Sequence, residues 1–225
     1  FDDAIKDYNL AIKYLENKNV NLFISKSKAC LKLNQDNDAI DAISEAIKID
    51  ETNADLYYDR AMLYQKKGSD IEFLKNINLA LDYEPEYQKA YVARVHYYAN
   101  NSRFEEAYKD AMAIPDFTRD IDNKYLLAII SFNLGKYSET LSLLTDIYDI
   151  KQNESNIDYY FGISFANMKN YDNAIKYLTK SKYANQDLIT EIIPIVDNFE
   201  RAIKFDDNDL TDELSKFLDG FKMMY

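Results

Sequence analysis

Side chains able to do covalent or metal chemistry are scarce in this sequence. Among 225 residues there is one histidine, His96, and one cysteine, Cys30, too few for the three or four ligands of a zinc or iron site. Four glycines leave no Gly-rich loop to cradle a phosphate. His96 has carboxylates enough to orient it, but no serine or cysteine stands in a nucleophile motif near it, so it reads as a surface or groove residue. The acidic residues are spaced along helix surfaces, which is a pattern of solvation rather than of a general acid/base pair. The sequence therefore argues for a non-enzyme without metal or cofactor, whose chemistry is that of contact.

Charge and composition narrow the contacts. With 39 acidic against 27 basic residues, a formal net charge of -12, the chain is repelled by a nucleic-acid backbone and by an anionic membrane surface. A basic or apolar partner suits it better. No run approaches the 18 apolar residues that a membrane span needs. Cys30 has no second cysteine to pair with, so a reducing, cytoplasmic setting is the expectation. The chain opens at Phe1 in mid-pattern and without Met, and reads as part of a longer protein.

The elements that position these contacts follow from scarce turn residues and from a repeat. Only 4 Gly and 3 Pro predict long helices joined by short connections. The phrases Asp2-Asp3-Ala4-Ile5, Asp38-Ala39-Ile40, Glu106-Ala107-Tyr108, Glu139-Thr140-Leu141 and Asn173-Ala174-Ile175 are versions of one text. With Phe73 in the slot between 39 and 107, the anchors fall at 4, 39, 73, 107, 140 and 174, in steps of 35, 34, 34, 33 and 34. Each anchor opens an apolar series at i, i+4 and i+7, one face of a helix. A second apolar series precedes it, from Phe23, Leu56, Tyr91, Tyr125 and Tyr159 onward. Each unit is thus predicted to be a helix-turn-helix hairpin.

A 34-residue hairpin with an aromatic early in its first helix, a small residue one turn later, and Ala early in its second helix resembles the tetratricopeptide repeat. Tyr57, Ala61, Tyr64, Ala80 and Pro85 carry the resemblance in one unit, and Gly162, Phe165, Ala166, Tyr171 and Ala174 in another. Lys26, Ser27 and Phe73 depart from the usual residues. The resemblance covers residues 1–186, as one second helix followed by five full repeats. It implies an all-α fold, a helix-turn-helix solenoid wound as a right-handed superhelix, with the small residues and aromatics at the packed positions.

In such a solenoid the concave wall comes from first helices, at positions that packing leaves free. Here those positions carry Tyr58, Met62 and His96, then Tyr125, Ile129, Phe132, Tyr159 and Ile163, an apolar and aromatic stripe where solvated residues would be expected. Either a protein or peptide partner binds along it, or the chain's own C-terminal helices cover it. Some members of the family clamp the C-terminal carboxylate of heat-shock chaperones. That pattern is not met, because Lys89 matches but Ile24, Lys28, Asp59 and Ala93 do not.

From Tyr183 the text changes. Leu188, Ile192, Ile195, Phe199 and Ala202 predict an amphipathic helix interrupted at Pro194, and Leu214, Phe217, Leu218 and Phe221 a second one beyond an acidic link. Residues 183–225 hold ten acidic and four basic side chains, half of the net charge. The run Ile192-Ile193-Pro194-Ile195-Val196-Asp197-Asn198-Phe199-Glu200-Arg201, followed by Phe217-Leu218-Asp219-Gly220-Phe221, resembles the helical core of GrpE-type nucleotide exchange factors. That resemblance implies a homodimer through a face of Ile192, Ile195, Phe199, Leu214, Phe217 and Phe221. The bland alternative is a capping pair over residues 187–225, which solenoids also need. The expectation is a protein-binding scaffold, a co-chaperone or adaptor whose partner is a DnaK-type chaperone or its client. The alternative is part of an exchange factor.

Overall fold

The computed structural model describes residues 1–14, 19–151 and 156–181. Over these the chain is all-α. It forms α1 (Asp2–Tyr14), α2 (Val20–Lys32), α3 (Asp36–Ile49), α4 (Ala54–Lys66), α5 (Asp70–Tyr83), α6 (Gln88–Asn100) and α7 (Phe104–Ala113). A short 3-10 turn at Phe117–Arg119 precedes α8 (Ile121–Asn133), α9 (Tyr137–Lys151), α10 (Ile157–Asn167) and α11 (Tyr171–Leu178). No strand occurs among the described residues.

Two compact units divide at Pro115 and Asp116. In the first, α1 packs on α2, and the hairpins α2/α3, α4/α5 and α6/α7 stack so that each second helix touches the next first helix. In the second, α8/α9 and α10/α11 are the hairpins, and α9 packs on α10. Contacts are therefore between neighbours, as expected where no single hairpin can bury its own apolar face.

Every hairpin turns in the same way. The residue after each first helix's cap lies in the left-handed region: Asn34 at φ 57°, Gly68 at 69°, Ser102 at 57°, Gly135 at 71° and Lys169 at 60°. The next amide reaches back to close the helix end: Gln35 to Cys30 O (3.0 Å), Ser69 to Tyr64 O (2.9 Å), Arg103 to Tyr98 O (2.8 Å), Lys136 to Ser131 O (2.9 Å) and Asn170 to Phe165 O (2.9 Å). This satisfies carbonyls that the helix end would otherwise leave bare.

The anchor residues sit where helices touch. Ala39, Phe73, Ala107, Thr140 and Ala174 are buried, as are their small first-helix counterparts Ala61 and Ala128. Helices also approach closely at Gly162, where a Cβ would lie 2.4 Å from Leu178 Cγ and 2.6 Å from its Cδ2. Phe73 replaces an alanine without exposing itself, its ring centroid 5.0 Å from that of Tyr97.

A polar brace recurs with the same period. Arg60 donates from Nε to Asn76 Oδ1 (2.8 Å) and from Nη1 to Ser44 Oγ (3.1 Å), joining the second helix of its own hairpin to that of the hairpin before. One repeat later Arg94 donates to both carboxylate oxygens of Asp110 (2.6 and 2.8 Å) and to Asn78 Oδ1 (2.6 Å). In the second unit the matching pairs are apolar: Leu127 with Leu143, then Phe161 with Tyr177, whose rings stack at 4.7 Å and 16°.

Candidate partner-binding surfaces

In the first unit the expected groove positions come from α4 and α6. Tyr58 is half-buried because its ring meets Tyr87 edge-on, with centroids 5.6 Å apart and planes at 84°. The Tyr87 hydroxyl in turn donates to Asp55. Burial first, and then this carboxylate partner, push the Tyr87 phenol well above its ordinary range. Met62 is half-buried and His96 is exposed.

Between α2 and α4 lies a cavity of about 280 Å³. Ile24 and Leu31 form its α2 wall, Met62 and Leu63 its α4 wall, and Ile43 of α3 its floor, while Ser27, Lys28, Asp59 and Lys66 supply the polar lining. Lys66 is committed to Asp36 of α3 (2.6 Å). Burial is the main cause that holds the Asp59 carboxyl above the usual carboxylate range, with Asp55 adding to it and Lys28 and Lys89 opposing it. Asp59 is the residue that helix periodicity did not single out. The signal available in the sequence was its place beside Tyr58, one turn from Asp55 on the same helix.

In the second unit α8 and α10 bring Tyr125, Ile129, Phe132 and Tyr159 to half-buried positions. Their rings form a ladder: Phe132 lies 6.1 Å from Tyr159 and 4.9 Å from Tyr160, and Tyr125 lies 6.5 Å from Tyr160. Ile163 departs from expectation. It is 7% exposed, because α10 is enclosed on most sides, with Ile157, Phe161, Gly162, Ser164 and Ala166 also buried. It is a packing residue and not a groove residue. Since the stripe falls on two units, each part stands by itself as a surface. Ile192, Ile195, Phe199, Leu214, Phe217 and Phe221, and the boundary at 186/187, lie outside the described residues.

Among the described residues no group of three or more His, Cys, Asp and Glu side chains is placed to hold a metal ion. Cys30 is buried, and burial together with Asp38 pushes its thiol up, away from the reactive thiolate. No described helix is long and apolar enough to cross a membrane.

Comparison with known proteins agrees with this build. Residues 28–68 match the family model described as TPR repeat, and residues 161–188 the one described as Tetratricopeptide repeat. Solved structures with the same fold include YrrB, described as a TPR protein with an unusual peptide-binding site (17% identity, TM-score 0.64, 77% of this chain and 89% of that one). MamA of Desulfovibrio magneticus is another (14%, TM-score 0.61, 74% and 94%), as is a tetratricopeptide repeat protein of Parabacteroides merdae (17%, TM-score 0.58, 97% and 91%). A different likeness is to protein GrpE of Oceanobacillus iheyensis, 48% identical over 44 residues, which are 20% of this chain and 22% of that protein. The chain thus spans about a fifth of the length of that curated relative. Residues 28–68 and 161–188 thus match tetratricopeptide repeat models, in a chain whose described helical hairpins have the fold of solved tetratricopeptide repeat proteins.

Proposed function

We propose that the chain is a non-catalytic protein-binding scaffold, a co-chaperone or adaptor that holds a segment of a partner protein on its first-helix faces. The observation that carries this reading is the half-exposed apolar surface at Tyr58 and Met62 in one unit and at Tyr125, Ile129, Phe132 and Tyr159 in the other. A helix face that served only solvation would carry charges there, whereas tyrosine and methionine suit a surface that adapts to a ligand. Peptide binding by the similarly folded YrrB supports it. The partner is a DnaK-type chaperone or its client, since 44 residues of the chain are similar to GrpE. The setting is cytoplasmic.

A full-length variant carrying Tyr125→Ala and Tyr159→Ala tests the scaffold. Binding to an immobilised DnaK-type chaperone and to an immobilised unfolded client is read by surface plasmon resonance. Weakening of one of them by ten-fold or more, with helicity kept, is expected. Unchanged binding to both, or binding to neither by the unmodified chain, refutes it.

The GrpE likeness favours a second reading, in which Ile192, Ile195, Phe199, Leu214, Phe217 and Phe221 pair two chains and the dimer promotes nucleotide exchange. Sedimentation and the release of a fluorescent nucleotide from a DnaK-type chaperone test it. A monomer that leaves release unchanged removes this reading without touching the first.

A further inference from the structure

We infer that the α2–α4 cavity of the first unit receives an apolar side chain of a partner segment that also presents a lysine or arginine to Asp59. This rests on the scaffold reading above and specifies its ligand. The cavity, at about 280 Å³, falls just under the range of sites that enclose whole small molecules, and its walls of Ile24, Leu31, Met62 and Leu63 are those of a slot for one large side chain.

The polar lining decides the charge of the neighbour. Of the two lysines at the cavity, Lys66 is already paired with Asp36, at 2.6 Å. Lys28 stands exposed on the α2 wall, where its long stem can carry the ammonium into water. Asp59 has no such freedom. It is a short side chain, partly buried, and it makes no hydrogen bond or ion pair with any described residue. Asp55 stands one turn away on the same helix, a like charge that adds to the effect of burial, while Lys28 and Lys89 offset it only in part. A cation from a partner relieves this repulsion and replaces the water that Asp59 has lost, so a basic group gains more here than an acidic one. The net charge of -12 steers the same kind of partner toward the chain. A carboxylate-terminated ligand, by contrast, meets Asp55 and Asp59.

The test uses the full 225-residue chain and two fluorescent helical peptides with the same leucine anchors, one flanked by lysines and the other by glutamates. Fluorescence anisotropy is expected to show the lysine peptide binding tighter by about ten-fold, the factor that one charge-assisted contact commonly gives. Raised salt should narrow that gap. Asp59→Asn should abolish most of the preference while leaving the melting temperature equal or higher, because an unpaired desolvated charge is removed. Met62→Ala should weaken both peptides alike. Equal binding of the two peptides, tighter binding of the glutamate peptide, or a preference that survives Asp59→Asn overturns the inference but leaves a groove. Binding of neither peptide overturns the groove as well.

Discussion

Replacing Asp110 by alanine removes the carboxylate from the Arg94 brace and leaves a largely buried guanidinium with Asn78 as its remaining acceptor. The side chains are 17% (Arg94) and 8% (Asp110) exposed, and the pair is bidentate, with a third bond to Asn78. Burial alone would lower the Arg94 pKa, but the hydrogen bonds and charge of Asp110 outweigh it and raise it. Breaking a buried pair from one side costs about 3–5 kcal/mol, since the remaining charge keeps its desolvation penalty. At a urea dependence of about 2 kcal/mol per molar, that loss moves the unfolding midpoint of the first unit down by about 2 M. The structure supplies its own controls. Asp110→Asn copies the Arg60–Asn76 arrangement one repeat earlier and keeps an acceptor for Nε, so it should cost about 1–2 kcal/mol. Arg94→Leu with Asp110→Leu puts leucine at both positions, as Leu127 and Leu143 do in the α8/α9 hairpin, and should recover most of the loss, because a well-packed apolar pair often equals a buried ion pair. The assay is urea unfolding followed by far-ultraviolet circular dichroism. Hydrogen exchange in α6 and α7 identifies the transition, since a repeat array need not unfold in one step. A loss below about 1 kcal/mol for Asp110→Ala, or a double variant as unstable as the single one, would refute the reasoning.

Three further outcomes are expected. Lys169→Gly should raise thermal stability by about 1 kcal/mol and Gly68→Ala should lower it by a similar amount, because both positions hold positive φ and a Cβ at Gly68 meets nothing within 4 Å, leaving backbone strain as the whole effect. Gly162→Ala drives its Cβ into Leu178 and should cost about 1–3 kcal/mol, with partial rescue by Leu178→Ala; a neutral melting curve for the single variant would contradict the α10–α11 packing. For Tyr148, burial first and then its hydrogen bond to Asp158 (2.8 Å) push the phenol up to about 12 from 10.0. The folded chain holds this proton more tightly, so the contribution is intact below pH 10.0 and is lost as pH rises toward about 12. Tyr148→Phe should flatten the alkaline fall in stability, and an unaltered profile would count against it.

The hairpins were legible because they depend on residues close in sequence. Helix formation and nearest-neighbour packing impose a period on small and apolar side chains, and the anchors Ala39, Phe73, Ala107, Thr140 and Ala174 fall in second helices at buried positions, while Ala4, in α1, is only half-buried. Even Phe73, whose volume departs from the pattern, kept its place in the register. The positive-φ turns were less legible: Gly68 and Gly135 announce them, but Asn34, Ser102 and Lys169 adopt the same conformation because hairpin packing outweighs the strain at one residue.

The candidate site divides in the same way. That Tyr58 and Met62 would lie on one first helix, and Tyr125, Ile129 and Phe132 on another, followed from spacing. The burial of Ile163 did not, because exposure depends on how much of α10 its neighbours enclose, and a period of 34 carries no record of that. The Arg60 and Arg94 braces, the Lys66–Asp36 pair and the unpaired Asp59 beside a small cavity depend on rotamers and on helices brought together from 16 or 30 residues away. The sequence by itself determined that a 34-residue period of helical hairpins runs through residues 1–186, in a chain with one histidine and one cysteine. Tertiary structure alone decided which of its charges are paired within the fold, because charge pairing is settled by distance and burial and not by order along the chain.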